Sequence, residues 1–240
     1  MTEPRISTRT ADLPSSPIRG LTPLAQAAAA QGIRVYHINI GQPDLPAPVR
    51  VADAIQVPDN GVIPYSASRG MPACLEAWSD YYAQLGYELD PTDIVVTTGG
   101  AEAIDFALTA TTDPGDEILV FDPTYASYLG YAIARNITLV PIRAEPPDYH
   151  LPDSATIERA ITPRTRAIVI VNPNNPTGTV YTRDELGRIM EIAERHGLFV
   201  ISDETYRELV FDGRKHVSAF DFPSMRHHVI VVDSASKRFS

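Results

Sequence analysis

The chain has 240 residues, of which 44% are hydrophobic, and its 30 acidic and 20 basic residues give a formal net charge of −10. This hydrophobic fraction is enough for a buried core, and the length suits one large domain or two modest ones. The negative charge argues against nucleic acid and anionic membranes as partners, because both require a basic surface.

The chain contains a single cysteine, Cys74, so no disulfide can form within it. This suits a reducing compartment. The amino-terminal residues contain no apolar run of the length that a signal peptide or a membrane span needs. We therefore expect a protein of the cytoplasm.

The first part of the chain is predicted to be an arm that carries a helix. Residues 1–20 are polar and contain three prolines, which is typical of a loose segment. A helix is predicted near residues 21–31, and a strand is predicted around Val35–Ile40. We assign residues 1–45 to this arm and residues 46–240 to the main domain.

A regular alternation of apolar runs and helical stretches begins at Asp90. Runs such as Ile168–Val171 are apolar on both faces, which is typical of parallel strands covered by helices on either side. The predicted strands are Ile94–Thr98, Glu117–Phe121, Thr138–Ile142, Ala167–Val171, Leu198–Ser202 and Val229–Asp233. The predicted helices are Ala101–Thr111, Ala126–Arg135, Ser154–Ala160 and Arg183–Arg195. The last helix opens on the capping-box pattern Thr182–Glu185 and closes at Gly197. The alternation predicts an α/β fold with an open, mostly parallel sheet flanked by helices.

A glycine pair follows the first of these strands, in the segment Thr98-Gly-Gly-Ala-Glu-Ala103, and precedes a helix. Glycines at such a turn let backbone N–H groups approach a phosphate, and the helix dipole favours its negative charge. The segment lacks the GxGxxG spacing of a dinucleotide site and the GKS or GKT ending of a P-loop. A phosphate contact and a purely structural turn therefore both fit this segment.

Two further segments follow predicted strands and contain side chains that suit a flat ligand. Tyr125 ends the segment Phe121-Asp-Pro-Thr-Tyr125, where an aromatic ring can either cover a ligand or pack on its own loop. In Asn172-Pro-Asn-Asn-Pro-Thr-Gly178, two prolines prevent a helix from starting directly after the strand. This more specific pattern predicts a rigid loop that points asparagine amides away from the sheet end.

Asp203 comes directly off the end of an apolar strand, in the segment Ser202-Asp-Glu-Thr-Tyr206. A carboxylate buried there under a pyridine ring would keep the ring nitrogen protonated and make the ring an electron sink. Tyr206 lies three residues further on, which is the same side of a helical turn. Two adjacent acids after a strand are also typical of a solvated helix start, so this alternative stays open.

Lys237 ends the segment Val231-Val-Asp-Ser-Ala-Ser-Lys237 and is one of two lysines in the chain. Its place after a hydrophobic strand and two serines predicts a desolvated pocket, where an amine can form a Schiff base with an aldehyde cofactor. The other lysine, Lys215, lies in a turn and is expected to be exposed. No metal site is predicted, because His227 and His228 have no carboxylate or thiol at metal-ligand spacing.

Taken in order, the segments that contain Asn175, Asp203 and Lys237 resemble the cofactor site of fold-type I pyridoxal-phosphate enzymes, the class I/II aminotransferase family. The resemblance covers the chain from Ile38 to its end and is to the aspartate and aromatic aminotransferase type. It implies the cofactor-binding large domain of that fold over residues 46–240, with pyridoxal 5′-phosphate as the cofactor. It further implies an amino acid and a 2-oxo acid as substrates, and a homodimer of the full-length form.

The resemblance also implies a role for each matched residue. Lys237 would hold the cofactor and move a proton between the substrate Cα and the cofactor C4′, and Asp203 would face the pyridine nitrogen. The other matches are the phenolic-oxygen donors Asn175 and Tyr206, the stacking ring of Tyr125, the phosphate contacts Gly100, Ala101, Ser234 and Ser236, the phosphate contact of Tyr65 to a neighbouring subunit, and the substrate contacts Gly41 and Asn175. Cis peptide bonds before Pro123 and Pro176 are implied as well.

The family continues beyond its lysine with a Gly-x-Arg segment and a small domain, and neither is in the 240 residues. We therefore expect a truncated chain whose large domain is incomplete and which does not complete a transamination by itself. Two alternatives share the same cofactor motifs: a lyase or decarboxylase of this fold, and a catalytically inactive fragment. Ala101 stands where some aspartate-preferring relatives carry a basic residue, which argues against a preference for dicarboxylates.

Overall fold

The computed structural model of the chain describes residues 3–13, 17–38, 41, 45–55 and 61–240. The strands are β1 (Glu117–Asp122), β2 (Thr138–Arg143), β3 (Thr165–Val171), β4 (Phe199–Asp203) and β5 (Val229–Val232). The helices are α1 (Arg9–Asp12), α2 (Pro17–Gly20), α3 (Thr22–Ala30), α4 (Val49–Ala54), α5 (Pro72–Gln84), α6 (Gly100–Thr111), α7 (Ser127–Arg135), α8 (Ser154–Arg159), α9 (Arg183–His196) and α10 (Ala235–Arg238). Short 3-10 turns lie at Pro91–Asp93, Ala219–Asp221 and Pro223–His228.

The five strands form a parallel sheet in the order β2-β1-β3-β4-β5. Asp203 lies level with Val171 on one side and with Val232 on the other, so the last residues of three strands meet at one edge. The chain moves from β1 outward to β2, and from β3 outward to β4 and β5 on the other side. Connections that diverge in this way leave a crevice at the carboxyl ends of the strands, where ligands bind in open α/β sheets.

Helices cover both faces of the sheet, because successive residues of a strand point to opposite sides. In β1, Ile118 and Val120 belong to one apolar cluster, with buried residues of α6 and α7. Leu119 and Phe121 belong to the other, with buried residues of α8 and α9. A fully buried aliphatic side chain stabilises a fold by about 1.5–3 kcal/mol relative to an exposed one, so both clusters contribute to stability. The predicted parallel α/β sheet flanked by helices is confirmed.

The ends of α9 follow from local sequence. The Thr182 side chain accepts a hydrogen bond from the Glu185 N–H, and the Glu185 carboxylate accepts one of 2.8 Å from the Thr182 N–H. At the other end Gly197 takes a φ of 63°, in the left-handed region that glycine adopts without strain. Both predicted boundary signals are therefore confirmed.

Two predicted strands are wrong where the structure describes them. Residues 94–98 pair with no strand of the described chain, although Ile94 has an extended backbone and the Val96 N–H donates one hydrogen bond to the Arg69 carbonyl. Residues 35–38 are also outside any strand, with Tyr36 and Ile38 exposed. A β-branched sequence favours an extended backbone, but it does not supply a neighbouring strand edge. The last two residues of the second prediction lie outside the described residues.

The amino-terminal arm has more helix than the sequence indicated. The predicted helix near residues 21–31 is confirmed as α3, while α1 and α2 precede it.

Helix α5, which the sequence did not indicate, packs beside the short turn Pro91–Asp93. Within the described ranges, the helices are all too short or too polar to cross a bilayer. The division of the chain at residues 45 and 46 stays a prediction.

Candidate active site

Polar segments from several strands meet at the carboxyl edge of the sheet. The loop after β3 is tied to the turn after β1, because the Asn174 side-chain amide donates a 3.0 Å hydrogen bond to the Pro123 carbonyl. The peptide bonds before Pro123 and Pro176 are cis, as the resemblance implied, and so is the bond before Pro173. The loop and the turn together form one side of a crevice.

Asp203 lies at the base of this crevice, as the last residue of β4. Its side chain is buried and accepts hydrogen bonds from the Tyr128 hydroxyl at 3.1 Å and from the Thr205 N–H at 3.2 Å. Burial raises the pKa of Asp203, and the hydrogen bonds from Thr205 and Tyr128 oppose that rise. A buried acid in this state would gain from a cationic group placed beside it.

Three predicted residues from different parts of the chain lie close to one another, although Lys237 is half-buried and not in the desolvated pocket that the sequence predicted. The Asn175 amide donates to the Tyr206 hydroxyl at 3.5 Å, and the Lys237 Nζ lies 5.8 Å from the centre of the Tyr206 ring. The same Nζ donates a 3.3 Å hydrogen bond to the Gly41 carbonyl. Burial raises the pKa of Tyr206, as does the nearby charge of Asp203. The crevice therefore presents an amine, a phenol and an amide to one small volume.

The predicted phosphate contacts lie together at the start of α6. A Cβ added to Gly100 would lie 3.5 Å from the Thr205 Oγ1 and 3.7 Å from the Ser234 Cβ, so this glycine leaves a space between them. The Ser234 hydroxyl donates to the Ser236 hydroxyl at 3.1 Å and accepts from the Ser236 N–H at 3.2 Å. Ala101 follows as the second residue of the helix. Hydroxyls and a helix amino terminus around a small space suit an anion.

The two remaining aromatic predictions differ in outcome. The Tyr125 ring meets the Tyr128 ring edge to face, with centroids 6.2 Å apart, and Tyr128 in turn contacts Asp203. Tyr125 is therefore one side chain away from the buried acid, at the wall of the crevice. Tyr65 is fully exposed and is not brought to the crevice within this chain. Its predicted role toward a neighbouring subunit stays a prediction.

Sequence reasoning missed two residues that contact Asp203. Tyr128 lies in α7, three residues after Tyr125, which precedes the helix; this spacing places both rings on one side of the helix start. Thr205 lies between the two predicted residues Asp203 and Tyr206, and both its N–H and its hydroxyl face the site. The helical spacing from Tyr125 was the available signal for Tyr128.

A buried polar network beneath the crevice was also missed. The Glu204 carboxylate accepts hydrogen bonds from the Ser202 and Ser218 hydroxyls at 3.0 Å and from the Ala219 N–H at 2.9 Å. It also contacts His216 at 2.9 Å and the Arg207 guanidinium at 3.3 Å. Burial alone would raise the pKa of Glu204, but His216, Arg207 and the Ala219 N–H hold it below its ordinary value. The network fixes the residue next to Asp203.

Other candidate sites are less well supported. No cluster of three or more metal-ligating side chains occurs among the residues with described positions. One surface cleft is lined by residues that include His150, Thr179 and Arg214, and another by residues that include Tyr87, Phe222 and Arg226. None of the predicted site residues lines either cleft. The crevice at the sheet edge is where the predicted chemistry converges.

The groups of the crevice match the separate parts of one cofactor, pyridoxal 5′-phosphate. The Lys237 amine would suit its aldehyde, and the buried Asp203 carboxyl group would suit its pyridine nitrogen. The paired Asn175 and Tyr206 suit its phenolic oxygen, and the space beside Gly100 suits its phosphate. A parallel sheet with this set of groups at its carboxyl edge defines a fold-type I pyridoxal-phosphate protein.

The comparisons with known proteins identify the family. The family model described as aminotransferase class I and II matches residues 34–240. The chain belongs to this family. It is 32% identical over 212 residues to the aspartate/prephenate aminotransferase of Thermus thermophilus, a match that covers 88% of this chain and 54% of that protein. It is 35% identical over 217 residues to the LL-diaminopimelate aminotransferase of Desulforudis audaxviator, covering 88% and 55%.

Solved structures agree with this assignment. The structure of Thermus thermophilus aspartate aminotransferase with maleate matches with a TM-score of 0.90 at 30% identity, over 99% of this chain and 62% of that chain. N-succinyldiaminopimelate aminotransferase from Mycobacterium tuberculosis matches with a TM-score of 0.86 at 31% identity, covering 98% and 61%. The chain therefore spans a little more than half the length of the relatives it matches.

Proposed function

We propose that this chain binds pyridoxal 5′-phosphate at the carboxyl edge of its sheet and serves amino-group transfer between an amino acid and a 2-oxo acid. The observation that carries the proposal is that Lys237 and Asn175 both lie close to Tyr206, three residues past the end of β4, where Asp203 is buried. These residues come from three segments that are separate in sequence. Each supplies a different group that the cofactor requires.

Asp203 and Lys237 have the central roles. The Asp203 carboxylate would face the pyridine nitrogen and keep that nitrogen protonated. The positive charge of the protonated ring would in turn lower the pKa of Asp203, which burial raises. The Lys237 Nζ would hold the aldehyde carbon and then carry the proton that leaves the substrate Cα. When bound, the cofactor supplies a protonated ring that withdraws electrons from that Cα.

The other residues orient the cofactor. The Tyr206 hydroxyl and the Asn175 amide would donate to the phenolic oxygen, which fixes the ring in its plane. Tyr125 would cover one face of the ring, while the helix start at Gly100 and the hydroxyls of Ser234 and Ser236 would hold the phosphate. Gly41 would contact the substrate carboxylate through its backbone.

The lysine assignment is tested by covalent labelling. The protein is incubated with pyridoxal 5′-phosphate, reduced with borohydride and mapped by peptide mass, with the visible absorption recorded before reduction. The label is expected on Lys237, and Lys237→Ala is expected to abolish both the label and the absorption band. Lys215, the chain's other lysine, is exposed, and Lys215→Ala is the matched control that should retain both. A band that persists in Lys237→Ala would refute the assignment.

The reaction class is tested by product analysis. The protein loaded with pyridoxal 5′-phosphate is mixed with a panel of amino acids, and 2-oxo acids and ammonia are measured. Formation of the matching 2-oxo acid without free ammonia supports amino-group transfer. Release of ammonia with pyruvate would instead assign the site to a lyase.

We also propose a homodimer as the functional form. The full exposure of Tyr65 supports this, since a side chain that contacts a neighbouring phosphate must project from its own subunit. Sedimentation equilibrium over a range of protein concentrations tests it. A species of 26.2 kDa at all concentrations would contradict a dimer of this chain.

A further inference from the structure

We propose that Arg238 is a positioning residue that holds the Lys237 amine and the phosphate-side serines in place. This inference rests on the proposed function, because it concerns how the side chains of the same crevice are held in position. Arg238 itself lies outside the crevice contacts described above and was not among the predicted site residues. Its contacts join the end of α10 to the start of the same loop, to α5 and to the segment that follows Asp203.

The first contact closes the segment that carries the site. The Arg238 Nη2 lies 3.0 Å and 3.2 Å from the two carboxylate oxygens of Asp233, five residues earlier. The Ser234 N–H donates to the same carboxylate at 2.6 Å. Ser234, Ser236 and Lys237 all lie between the two ends of this ion pair. The Asp233–Arg238 pair therefore fixes the loop from which these three side chains project.

The second set of contacts anchors this loop to α5. The Arg238 guanidinium lies 4.3 Å from the Tyr81 ring centre and 5.4 Å from that of Trp78, and its Nη2 donates a 2.9 Å hydrogen bond to the Tyr81 hydroxyl. The Tyr82 hydroxyl donates to Asp233 at 3.0 Å. A planar guanidinium stacks on aromatic faces while its edge makes hydrogen bonds, so both interactions form together.

The third contact reaches the segment that follows Asp203. The Arg238 Nε lies 3.8 Å from the Glu208 carboxylate, which also accepts a hydrogen bond from the Tyr81 hydroxyl. Glu208 is two residues past Tyr206, the phenol beside Lys237. One side chain thus links the segments that carry the amine and the phenol.

Lys237 needs such an outside anchor, because its own contacts are few. Its Nζ makes one hydrogen bond within the described residues, the 3.3 Å contact with the Gly41 carbonyl. The neighbouring Arg238 side chain is 13% exposed and the Asp233 side chain 7%, so the anchor is shielded from water. A displacement of about 1 Å can reduce a reaction rate by about 100-fold, so the position of the loop bears directly on the amine.

The test compares two lysines in one sample. Pyridoxal 5′-phosphate is added, adducts are trapped with borohydride at early times, and the rate constant at Lys237 is divided by that at Lys215. Lys215 is exposed, so the ratio reports the environment of Lys237, and it does not depend on the reagent concentration while that concentration is kept well below saturation of the site. In Arg238→Gln the ratio is expected to fall by about 10- to 100-fold.

Arg135→Gln is the matched control. Arg135 forms a partly buried ion pair with Asp105, which joins α7 to α6, and its loss should leave the ratio unchanged. Circular dichroism checks that each variant is folded. If Arg238→Gln does not fold, Asp233→Asn weakens the same pair from its other side with little change of shape, and the same fall is expected.

The outcomes separate this inference from the proposed function. If the wild-type ratio shows no preference for Lys237, the lysine assignment fails and the role of Arg238 fails with it. If the wild-type ratio is high and the folded Arg238→Gln or Asp233→Asn variant keeps it, the proposed function stands and the positioning role is overturned.

Discussion

The Tyr128 hydroxyl donates a 3.1 Å hydrogen bond to the Asp203 carboxylate, and both side chains are buried at the same end of the sheet. Asp203 is thus held in the core by neutral donors, Tyr128 and the Thr205 N–H. A buried carboxylate with neutral partners remains costly in its charged form, which is why burial raises its pKa. A cation that arrives in the crevice would remove this cost.

Replacement of Asp203 by Asn is expected to stabilise the protein without cofactor at neutral pH. In the wild type, the pKa of the Asp203 carboxyl group in the folded protein is raised above the ordinary value of 3.8. The free energy of unfolding of the wild type therefore falls as the pH rises from about 3.8 through the folded pKa. Asn removes this loss, with an expected gain of about 0.5–2 kcal/mol at pH 7. Urea unfolding between pH 3 and 8 measures it. If the difference in free energy of unfolding between the variant and the wild type did not widen with rising pH, the raised pKa would be contradicted.

Replacement of Tyr128 by Phe is expected to have the opposite effect on stability. It removes a donor that lowers the pKa of Asp203, so that pKa rises further and stability at pH 7 falls by about 1.5–3 kcal/mol. Urea unfolding at pH 7 measures the loss, which should shrink as Asp203 becomes protonated at low pH. Tyr131→Phe is the control, because no described residue accepts a hydrogen bond from its hydroxyl. Equal losses in the two variants would disprove the special role of Tyr128.

The strands of the sheet could be predicted because their apolar runs are buried on both faces. Ile168 and Ile170 face one helix layer of the core, while Val169 and Val171 face the other. The segment 94–98 has similar residues, yet it stays outside the sheet, because pairing depends on a neighbouring edge that composition does not specify. Helix α5 was missed because its polar and aromatic residues do not show a clear apolar period.

The site could be predicted where residues adjoin strand ends, since parallel strands bring those ends to one edge. Asp203 ends β4, while Asn175 and Lys237 lie a few residues past β3 and β5. The supporting contacts come from residues distant in sequence: Tyr82 lies 151 residues before Asp233, and Tyr81 lies 157 residues before Arg238. Such pairs depend on tertiary packing, which no local pattern encodes.

Replacement of Glu204 by Gln is expected to destabilise the protein by about 3–5 kcal/mol at pH 7, because it leaves His216 and Arg207 buried without their acid. The folded pKa of Glu204 is lowered, so its contribution is complete above the ordinary value of 4.5 and is lost as pH falls through the folded pKa. Urea unfolding should therefore show a difference that narrows in acid. Glu194→Gln on the exposed surface of α9 is the control and should change stability little.

Replacement of Gly100 by Ala is expected to separate folding from cofactor binding. The new Cβ would meet the Thr205 Oγ1 at 3.5 Å and the Ser234 Cβ at 3.7 Å, which are ordinary contacts. Because Ala favours a helix over Gly, stability should stay equal or rise by up to about 1 kcal/mol. The methyl group would fill the space assigned to the phosphate, so pyridoxal 5′-phosphate affinity should fall by at least about tenfold, measured by absorbance titration.

Gly70→Ala is the contrasting variant, because it is expected to lower stability and to leave cofactor affinity unchanged. At Gly70 a Cβ would lie 2.8 Å from the Val96 side chain, and the φ of +122° is one that L side chains rarely adopt. That variant should lose stability by about 1–2 kcal/mol or more, with the cofactor affinity of the remaining folded protein unchanged. If Gly100→Ala instead destabilised the fold and bound pyridoxal 5′-phosphate as wild type does, the glycine would serve packing and the phosphate would have to lie elsewhere.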